Sequence, residues 1–177
     1  MIGFILLFFI AAVKSGVFGW NLFYLMSTFF VMMILPPALL LVWAVRTKRV
    51  SNWDLSNRKQ RVRALLIFAC FLCIDYFIVE RIGTPLMSEV FRFVSMLFAG
   101  FFLITLRSKI SGHMMTWTLI ILFFISWYGW TLAPLFFIIP LLGWSRLVLK
   151  RHTLGEVMGG VLYPICIFFL ARGLHLI

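Results

Sequence analysis

Long runs of apolar residues, interrupted by short basic segments, constrain this chain more than any other feature of its sequence. The run 114–144 contains no charged residue, and further apolar runs cover 21–45, 64–79 and 86–106. A membrane-spanning helix needs about 20 consecutive apolar residues. Only 12% of the residues are charged, against about 25% in soluble domains. The chain is therefore expected to be an integral membrane protein.

These runs predict an all-α membrane bundle of about six transmembrane helices. The run 114–144 is too long for one helix, and the Gly and Pro of "YGWTLAP" at 128–134 predict a hairpin within it. The last span is expected over 153–171. Residues 2–13 are too few for a span, so an N-terminal interfacial helix is expected there. The whole chain, 1–177, is interpreted as a single membrane domain.

The three cysteines predict no disulfide framework. Cys70 and Cys73 have C-x-x-C spacing, but they lie in an apolar run without the polar surroundings of a redox pair. They are interpreted as small buried side chains.

The polar segments between the spans are expected on one face of the membrane. Two helices separate 46–63 from 107–113, and two more separate 107–113 from 145–152, so the chain returns to the same side each time. These segments carry twelve of the sixteen Lys and Arg residues. The net charge is +11, and no soluble basic module suggests nucleic acid. This face is therefore expected to bind anionic lipid or phosphate groups.

The stretch "SRLVLKRHTLGEV" at 145–157 places a histidine and a carboxylate at helical spacing. If the last helix begins near Thr153, Glu156 lies one turn from His152 and can accept a hydrogen bond from one imidazole nitrogen. The other nitrogen can then act as a nucleophile. The alternative is a charged helix cap at the membrane surface. A carboxylate several residues into an apolar helix argues against that alternative.

The stretch "KISGHMM" at 109–115 precedes another predicted helix. Backbone N–H groups at a helix N-terminus bind anions, and glycine allows a ligand to approach the chain closely. Lys109, Ser111 and Gly112 are therefore candidate phosphate ligands, and His113 is a candidate proton donor. An ordinary serine cap with an interfacial histidine is the alternative.

A third basic group lies in "SNRKQRVRA" at 56–64. Guanidinium groups bind phosphate oxygens in a bidentate manner, so these cations are candidate phosphate ligands: Arg58, Lys59, Arg61 and Arg63. A juxtamembrane cluster that only marks topology is the alternative. Two histidines, an orienting carboxylate and many anion ligands together predict phosphate-ester cleavage without a metal ion.

This pattern resembles the type 2 phosphatidic acid phosphatase (PAP2) superfamily of membrane lipid phosphatases. The family has a motif Pro-Ser-Gly-His, which Ile110–His113 resembles. It has another, Ser-Arg-x₅-His-x₃-Asp, which the sequence from Ser145-Arg146 through His152 to Glu156 resembles. Ile110 replaces Pro, and Glu156 replaces Asp. The resemblance covers about 46–165. The family's first motif is less well matched.

For that first motif, two alignments remain open. The family's first motif is a Lys with Arg-Pro seven residues on. Arg63-Ala64 could correspond to the Arg-Pro, although Ser56 would then replace the Lys. Residues 57–61 instead resemble the Asp-Arg-x-x-Arg of several small bacterial members.

The resemblance implies a role for each matched residue. His152 would form a phosphohistidine, Glu156 would orient it, and His113 would protonate the leaving group. Ser111, Gly112 and Arg146 would cradle the phosphate, with no metal ion or other cofactor.

The resemblance also implies a substrate and a location. The best guess is a lipid A 1-phosphatase, and undecaprenyl pyrophosphate and phosphatidylglycerol phosphate are alternative substrates. The location would be a bacterial inner membrane, with a periplasmic active site and no obligate protein partner.

Two other classes of function remain open. An anion or lipid transporter would use charges within the membrane, and Glu89 and Arg92 could mark its path. The favoured interpretation of these two residues is a satisfied ion pair within the membrane. Such a protein should also contain broken helices and internal repeats. Pro36-Pro37 and Pro140 suggest the former, and the sequence shows no repeat. The second class is a non-catalytic lipid-binding scaffold.

Overall fold

The computed structural model describes residues 2–50 and 57–174, apart from the side chains of Ile2, Phe4 and Arg58. All regular structure in this part of the chain is helical, as predicted, and the protein is a multi-pass membrane protein. The chain divides into two compact units, one formed by Phe8–Leu106 and the other by Ile2–Leu7 with the described part of Arg107–Ile177.

In the first unit, one long helical stretch ends at the basic segment 46–63 and another begins there. Helix α1 (Ile2–Lys14) enters this unit at Phe8 and is followed by α2 (Gly19–Phe29), a π-helical segment (Phe30–Ile34) and α3 (Leu35–Arg46). Helices α4 (Arg58–Ile82) and α5 (Pro85–Arg107) complete it. Asn57 caps α4, because its side chain accepts hydrogen bonds from the backbone N–H groups of Lys59 and Gln60.

The second unit contains α6 (Gly112–Tyr128), a 3₁₀ segment (Trp130–Phe137), α7 (Ile138–Val148) and α8 (Leu154–Gly173). The predicted hairpin is present, and Gly129 ends α6 with a φ of +84°, a conformation that glycine adopts without the cost of a Cβ atom. The first residues of α1 belong to this unit as well, and a Cβ on Gly3 would lie 2.5 Å from Ile120 Cδ1.

Helices α6 and α8 run in the same direction, side by side. The backbone N–H of Ser111 donates to the carbonyl of Glu156, and the rings of Phe123 and Phe168 are in contact with their centroids 5.4 Å apart. At the far end, Arg172 donates to the Ser126 hydroxyl. The segments before the two helices therefore lie at the same end of this unit, as the parity of the spans predicts for 107–113 and 145–152.

Five helical stretches of the described chain are long and apolar enough to cross a membrane: Gly19–Arg46, Lys59–Ile82, Pro85–Arg107, Trp130–Val148 and Leu154–Gly173. About six spanning helices were predicted, and α6 accounts for the difference. It has 17 residues and is about 26 Å long, so it belongs to the shorter apolar helices. Much of α6 is buried by protein, including Leu119, Ile120 and Ile121. The interfacial position of α1 stays a prediction.

The interpretation of the cysteines as buried side chains is wrong. Cys70, Cys73 and Cys166 are all exposed at the protein surface. In a membrane helix an outward position faces lipid, which accepts a small apolar side chain as well as a protein core does.

Candidate functional site

A tight turn between α7 and α8 places His152. The N–H of Lys150 donates to the carbonyl of Leu147 at 2.9 Å, and the N–H of Arg151 donates to the carbonyl of Arg146 at 3.1 Å. These two bonds form a Schellman motif, which ends a helix with one residue in the left-handed conformation. That residue is Lys150, with a φ of +51°. Because glycine normally occupies this position, the turn carries backbone strain.

His152 and Glu156 are joined as predicted. Nδ1 of His152 lies 2.8 Å from Oε2 of Glu156, and the two side chains are 10% and 20% exposed. Since a carboxylate can only accept, the Nδ1–H donates and the tautomer is fixed. Nε2 is then the ring nitrogen that can act as a nucleophile.

Glu156 was predicted to lie several residues into the apolar helix, and the structure places it closer to the helix start. The helix begins at Leu154 with Thr153 as its N-cap, so Glu156 lies in the first turn rather than deep in the span. Thr153 and Glu156 form a capping box, in which Glu156 Oε2 accepts from the Thr153 N–H at 3.3 Å and the Thr153 hydroxyl accepts from the Glu156 N–H at 3.3 Å. The cap and the contact with His152 therefore use the same carboxylate oxygen.

Lys109 connects the second basic segment to this carboxylate. Its Nζ donates to the backbone carbonyl of Arg151 at 3.0 Å and lies 3.6 Å from Oε2 of Glu156. The side chain is 30% exposed, so the ion pair itself contributes little to stability. Lys109 places a positive charge beside His152 and holds the backbone carbonyl of Arg151, the residue before His152.

Ser111 lies where α6 begins but does not cap it. Its side chain makes no cap hydrogen bond, although its backbone adopts the extended conformation of an N-cap residue. The residue is fully buried, and its Oγ has no hydrogen-bond partner among the described residues. Ser111 therefore occupies the N-cap position without the side-chain hydrogen bond of an ordinary serine cap. A buried hydroxyl without a partner is costly in a folded protein, which suggests that another group satisfies it.

Two glycines of α8 allow the 109–113 segment to approach this closely. A Cβ on Gly160 would lie 2.6 Å from the carbonyl oxygen of Ser111, and a Cβ on Gly159 would lie 2.8 Å from Ile110 Cγ2. No side chain of ordinary size fits between the segment and the helix. The pair Gly159-Gly160 is therefore a condition for the contact between Ser111 and Glu156.

A shallow concavity of about 370 Å³ lies beside the turn between α7 and α8. Its lining includes three predicted site residues, Lys109, His152 and Glu156. Four further residues, which were not among those predicted, also line it: Leu147, Lys150, Arg151 and Thr153. The signal for them was present in the sequence, because all four lie within six residues of His152.

The remaining predicted residues of this unit lie around the concavity rather than in its lining. Gly112 and His113 form the first turn of α6, where His113 is exposed. Arg146 is half-buried in the last turn of α7, and its Nε is buried without a hydrogen-bond partner in the described part of the chain. An unpaired guanidinium N–H of this kind can donate to an oxyanion. The backbone carbonyl of Arg146 accepts a hydrogen bond from the N–H of Arg151, so Arg146 is part of the turn between α7 and α8.

The cations predicted at 58–63 belong to the first unit. Lys59 and Arg63 line a second concavity, of about 470 Å³, together with Val62 and Leu106. Arg61 is only 9% exposed and is not among the lining residues. The side chain of Arg58 lies outside the described residues.

The arrangement in the second unit can bind an anion and present a nucleophile to it. Lys109, Lys150 and Arg151 outnumber the one carboxylate of the concavity. In the described part of the chain, no group of three or more His, Cys, Asp or Glu side chains could hold a metal ion. The absence of a metal ion or other cofactor from the reaction stays a prediction.

Comparisons with family models, with curated proteins and with solved structures find no match to this chain. The assignment of a function therefore depends on the residues and geometry of the site.

Proposed function

We propose that this protein is a metal-independent lipid phosphatase that acts through a phosphohistidine on His152. The observation that carries this proposal is the 2.8 Å contact between His152 Nδ1 and Glu156 Oε2, with Lys109 Nζ 3.6 Å from the same oxygen. An imidazole held by a carboxylate beside fixed positive charge is suited to attack a phosphorus atom.

The proposed reaction has two steps. Nε2 of His152 attacks phosphorus, the bond from phosphorus to the lipid oxygen breaks, and its electron pair remains on that oxygen. His113 gives the leaving oxygen a proton. Water then attacks the phosphohistidine and gives a proton to His113, the bond between phosphorus and Nε2 breaks with its electron pair returning to His152, and inorganic phosphate is released. His113 is exposed on the first turn of α6, and catalytic groups often come within reach only when substrate is bound.

The proposed phosphate ligands agree with this chemistry. The buried hydroxyl of Ser111 and the buried Nε of Arg146, each without a partner among the described groups, can donate to phosphate oxygens. The N-terminus of α6 at Gly112 adds backbone N–H groups. Lys109 supplies charge, and Arg58, Lys59, Arg61 and Arg63 are proposed to attract the anionic headgroup.

The proposed substrate is a phosphorylated lipid, because the concavity adjoins helices of spanning length and a lipid substrate remains in the bilayer. The 1-phosphate of lipid A is the first candidate, and undecaprenyl pyrophosphate and phosphatidylglycerol phosphate are alternatives. The proposed location is a bacterial inner membrane with the site on the periplasmic face. These details, like membership of the PAP2 superfamily, depend on the resemblance of the motifs.

An anion or lipid transporter is the second candidate. The observation in its favour is the interruption of the 19–46 helix by the π-helical segment Phe30–Ile34, directly before Pro36 and Pro37. Transporters bind their substrates at such breaks. The ion pair expected between Glu89 and Arg92 is not among the contacts of the described residues. Arg92 Nε instead donates to the carbonyl of Ser88 at 3.3 Å.

The experiment is phosphate release by purified protein in EDTA, measured separately with the three candidate lipids. Release that His152→Ala eliminates would support the phosphatase, and the preferred lipid would identify the substrate. Arg172→Ala is the matched control, because Arg172 lies at the opposite end of α8 and should not affect turnover. Transport of a labelled lipid by proteoliposomes without any phosphate release would favour the second candidate.

A further inference from the structure

Asp75 is a buried carboxyl group that the phosphatase chemistry does not use. It lies in α4, within the membrane-spanning stretch Lys59–Ile82, and is 4% exposed. Its Oδ1 is buried and has no hydrogen-bond partner in the described part of the chain. An ionisable residue within a membrane helix is costly and usually marks a functional site.

Asp75 belongs to the packed face of α4. The buried residues of this helix, Arg61, Leu65, Asp75 and Val79, recur at helical spacing and therefore form one stripe. Within the first unit, α4 packs against the π-helical segment Phe30–Ile34. Asp75 is thus on the side of α4 that meets protein, whereas neighbouring residues such as Ile74 are exposed.

Measured along the two helices, Phe30 and Asp75 lie at similar distances from the ends that adjoin the basic segment 46–63. Both helices leave the basic segment 46–63, and sixteen residues separate Arg46 from Phe30 and likewise Lys59 from Asp75. At 1.5 Å per residue both lie about 24 Å along their helices. Phe30 also marks the irregularity, because its carbonyl accepts from the N–H of Leu35, five residues on.

Two backbone carbonyls at this break lose the donors that a regular α-helix would supply. Pro36 and Pro37 have no N–H group, so the carbonyls one turn earlier, at Met32 and Met33, lose their α-helical partners. Carbonyls at membrane depth need a donor from elsewhere. The O–H of a protonated carboxyl group is such a donor, whereas a carboxylate is not.

Asp75 makes no ion pair with a cation in the described part of the chain. The segment Phe30–Ile34 contains no titratable residue. On α4, Glu80 and Arg81 are exposed, and on α5, Arg92 is exposed with its Nε bonded to a backbone carbonyl. Glu89, also on α5, is half-buried and carries the same sign of charge as a carboxylate. A carboxyl group buried without a cation is neutralised by a proton instead.

We propose that Asp75 and the π-helical break at Phe30–Ile34 form a proton-binding site inside the membrane. In the occupied state the carboxyl O–H donates towards a carbonyl of the break. On release the O–H bond breaks, its electron pair stays on the carboxylate, and the proton passes to water. This site is independent of the proposed phosphatase chemistry, and failure of either proposal leaves the other standing.

The chain allows a direct test, because its only aspartates are Asp54 and Asp75. Protein labelled with ¹³C at the aspartate carboxyl group gives two carboxyl resonances, and Asp54→Asn protein in lipid nanodiscs retains the one of Asp75. At about pH 6, roughly two units above the ordinary aspartate pKa of about 3.9, that resonance should have the shift of a neutral acid. The shift should be unchanged when sodium chloride replaces potassium chloride.

Two outcomes would overturn the proposal. One is the shift of an ionised carboxylate at about pH 6 in sodium-free buffer. The other is a shift that follows sodium concentration at constant pH, which would assign a sodium site instead. Asp75→Asn should eliminate the resonance, but the test does not depend on how that variant folds, since wild-type protein already contains both signals.

Discussion

Nδ1 of His152 and Oε2 of Glu156 lie 2.8 Å apart, across the junction between the α7–α8 turn and the first turn of α8. The same oxygen caps the helix through the N–H of Thr153. One carboxylate therefore holds both the proposed nucleophile and the helix that carries it. The two roles can be separated by mutation, because the capping box also contains the hydrogen bond from the Glu156 N–H to the Thr153 hydroxyl, whereas the carboxylate alone makes the contact with Nδ1 of His152.

Loss of the carboxylate charge should slow turnover far more than loss of the cap. Glu156→Gln no longer fixes the productive tautomer of His152, and we expect kcat to fall by about 10²–10⁴-fold. Thr153→Ala removes the hydroxyl that accepts from Glu156 N–H, so it should cost about 1 kcal/mol of stability and leave kcat within a factor of a few. Phosphate release and thermal unfolding of both variants check this. Equal losses of activity would show that Glu156 acts only as a cap.

The buried hydroxyl of Ser111 should matter for binding and not for folding. Ser111→Ala removes an unpaired polar atom, so the free energy of unfolding should stay the same or rise by up to about 1 kcal/mol. The same change should raise the KM for the lipid phosphate by about tenfold or more, since one hydrogen bond to a charged group is lost.

Thr118→Val is the matched control for Ser111. Thr118 is also fully buried in α6 with an unpaired hydroxyl in the described structure, but it lies two helical turns beyond Ser111. It should show the change in stability without the change in KM. An unaltered KM in Ser111→Ala protein would remove Ser111 from the phosphate site.

The left-handed conformation of Lys150 makes a prediction about stability. Lys150→Gly should raise the free energy of unfolding by about 1 kcal/mol, because glycine adopts a φ of +51° without the steric cost of a Cβ atom. Lys150→Ala removes the same charge but retains the Cβ, so it should give no such gain. Chemical denaturation of the two variants in detergent distinguishes them. A gain in both would attribute the effect to charge rather than to the backbone.

The close approach at Gly160 should tolerate no side chain. A Cβ there would lie 2.6 Å from the carbonyl oxygen of Ser111, so Gly160→Ala should destabilise the protein by about 1–3 kcal/mol and displace the 109–113 segment. Gly155→Ala is the control, because no neighbouring atom lies within 4 Å of its Cβ position. That variant should be neutral or more stable, since alanine favours a helix more than glycine. Similar melting temperatures for both variants would contradict the packing described here.

The helices and the contact between His152 and Glu156 could be predicted from sequence because local patterns determine them. Apolar length predicts a span, and spacing of four residues places two side chains on one helix face. The predicted span 64–79 lies within α4, which extends from Arg58 to Ile82. Its ends were missed because the Asn57 cap and the exposed Glu80 and Arg81 extend the helix beyond the apolar run.

Other features depend on packing that a single sequence does not specify. Lys150 adopts a left-handed conformation that its residue type does not predict. The concavity is lined by Arg151 and Thr153 rather than by His113 and Arg146, because the direction of each side chain depends on the turn. Asp75 was overlooked, although its spacing from Arg61, Leu65 and Val79 could have placed it on a buried stripe.

The central claim is the covalent intermediate on His152, and rapid quenching in EDTA tests it most directly. Purified protein is mixed with a lipid substrate labelled with ³²P at the scissile phosphate, quenched in alkali within one turnover, and digested. We expect an acid-labile, alkali-stable phosphoryl group on the peptide that contains His152, formed as fast as lipid is consumed. His152→Ala protein should show neither the label nor phosphate release. Release of phosphate by His152→Ala protein, or turnover of the wild-type protein without this labelled peptide, would contradict the account.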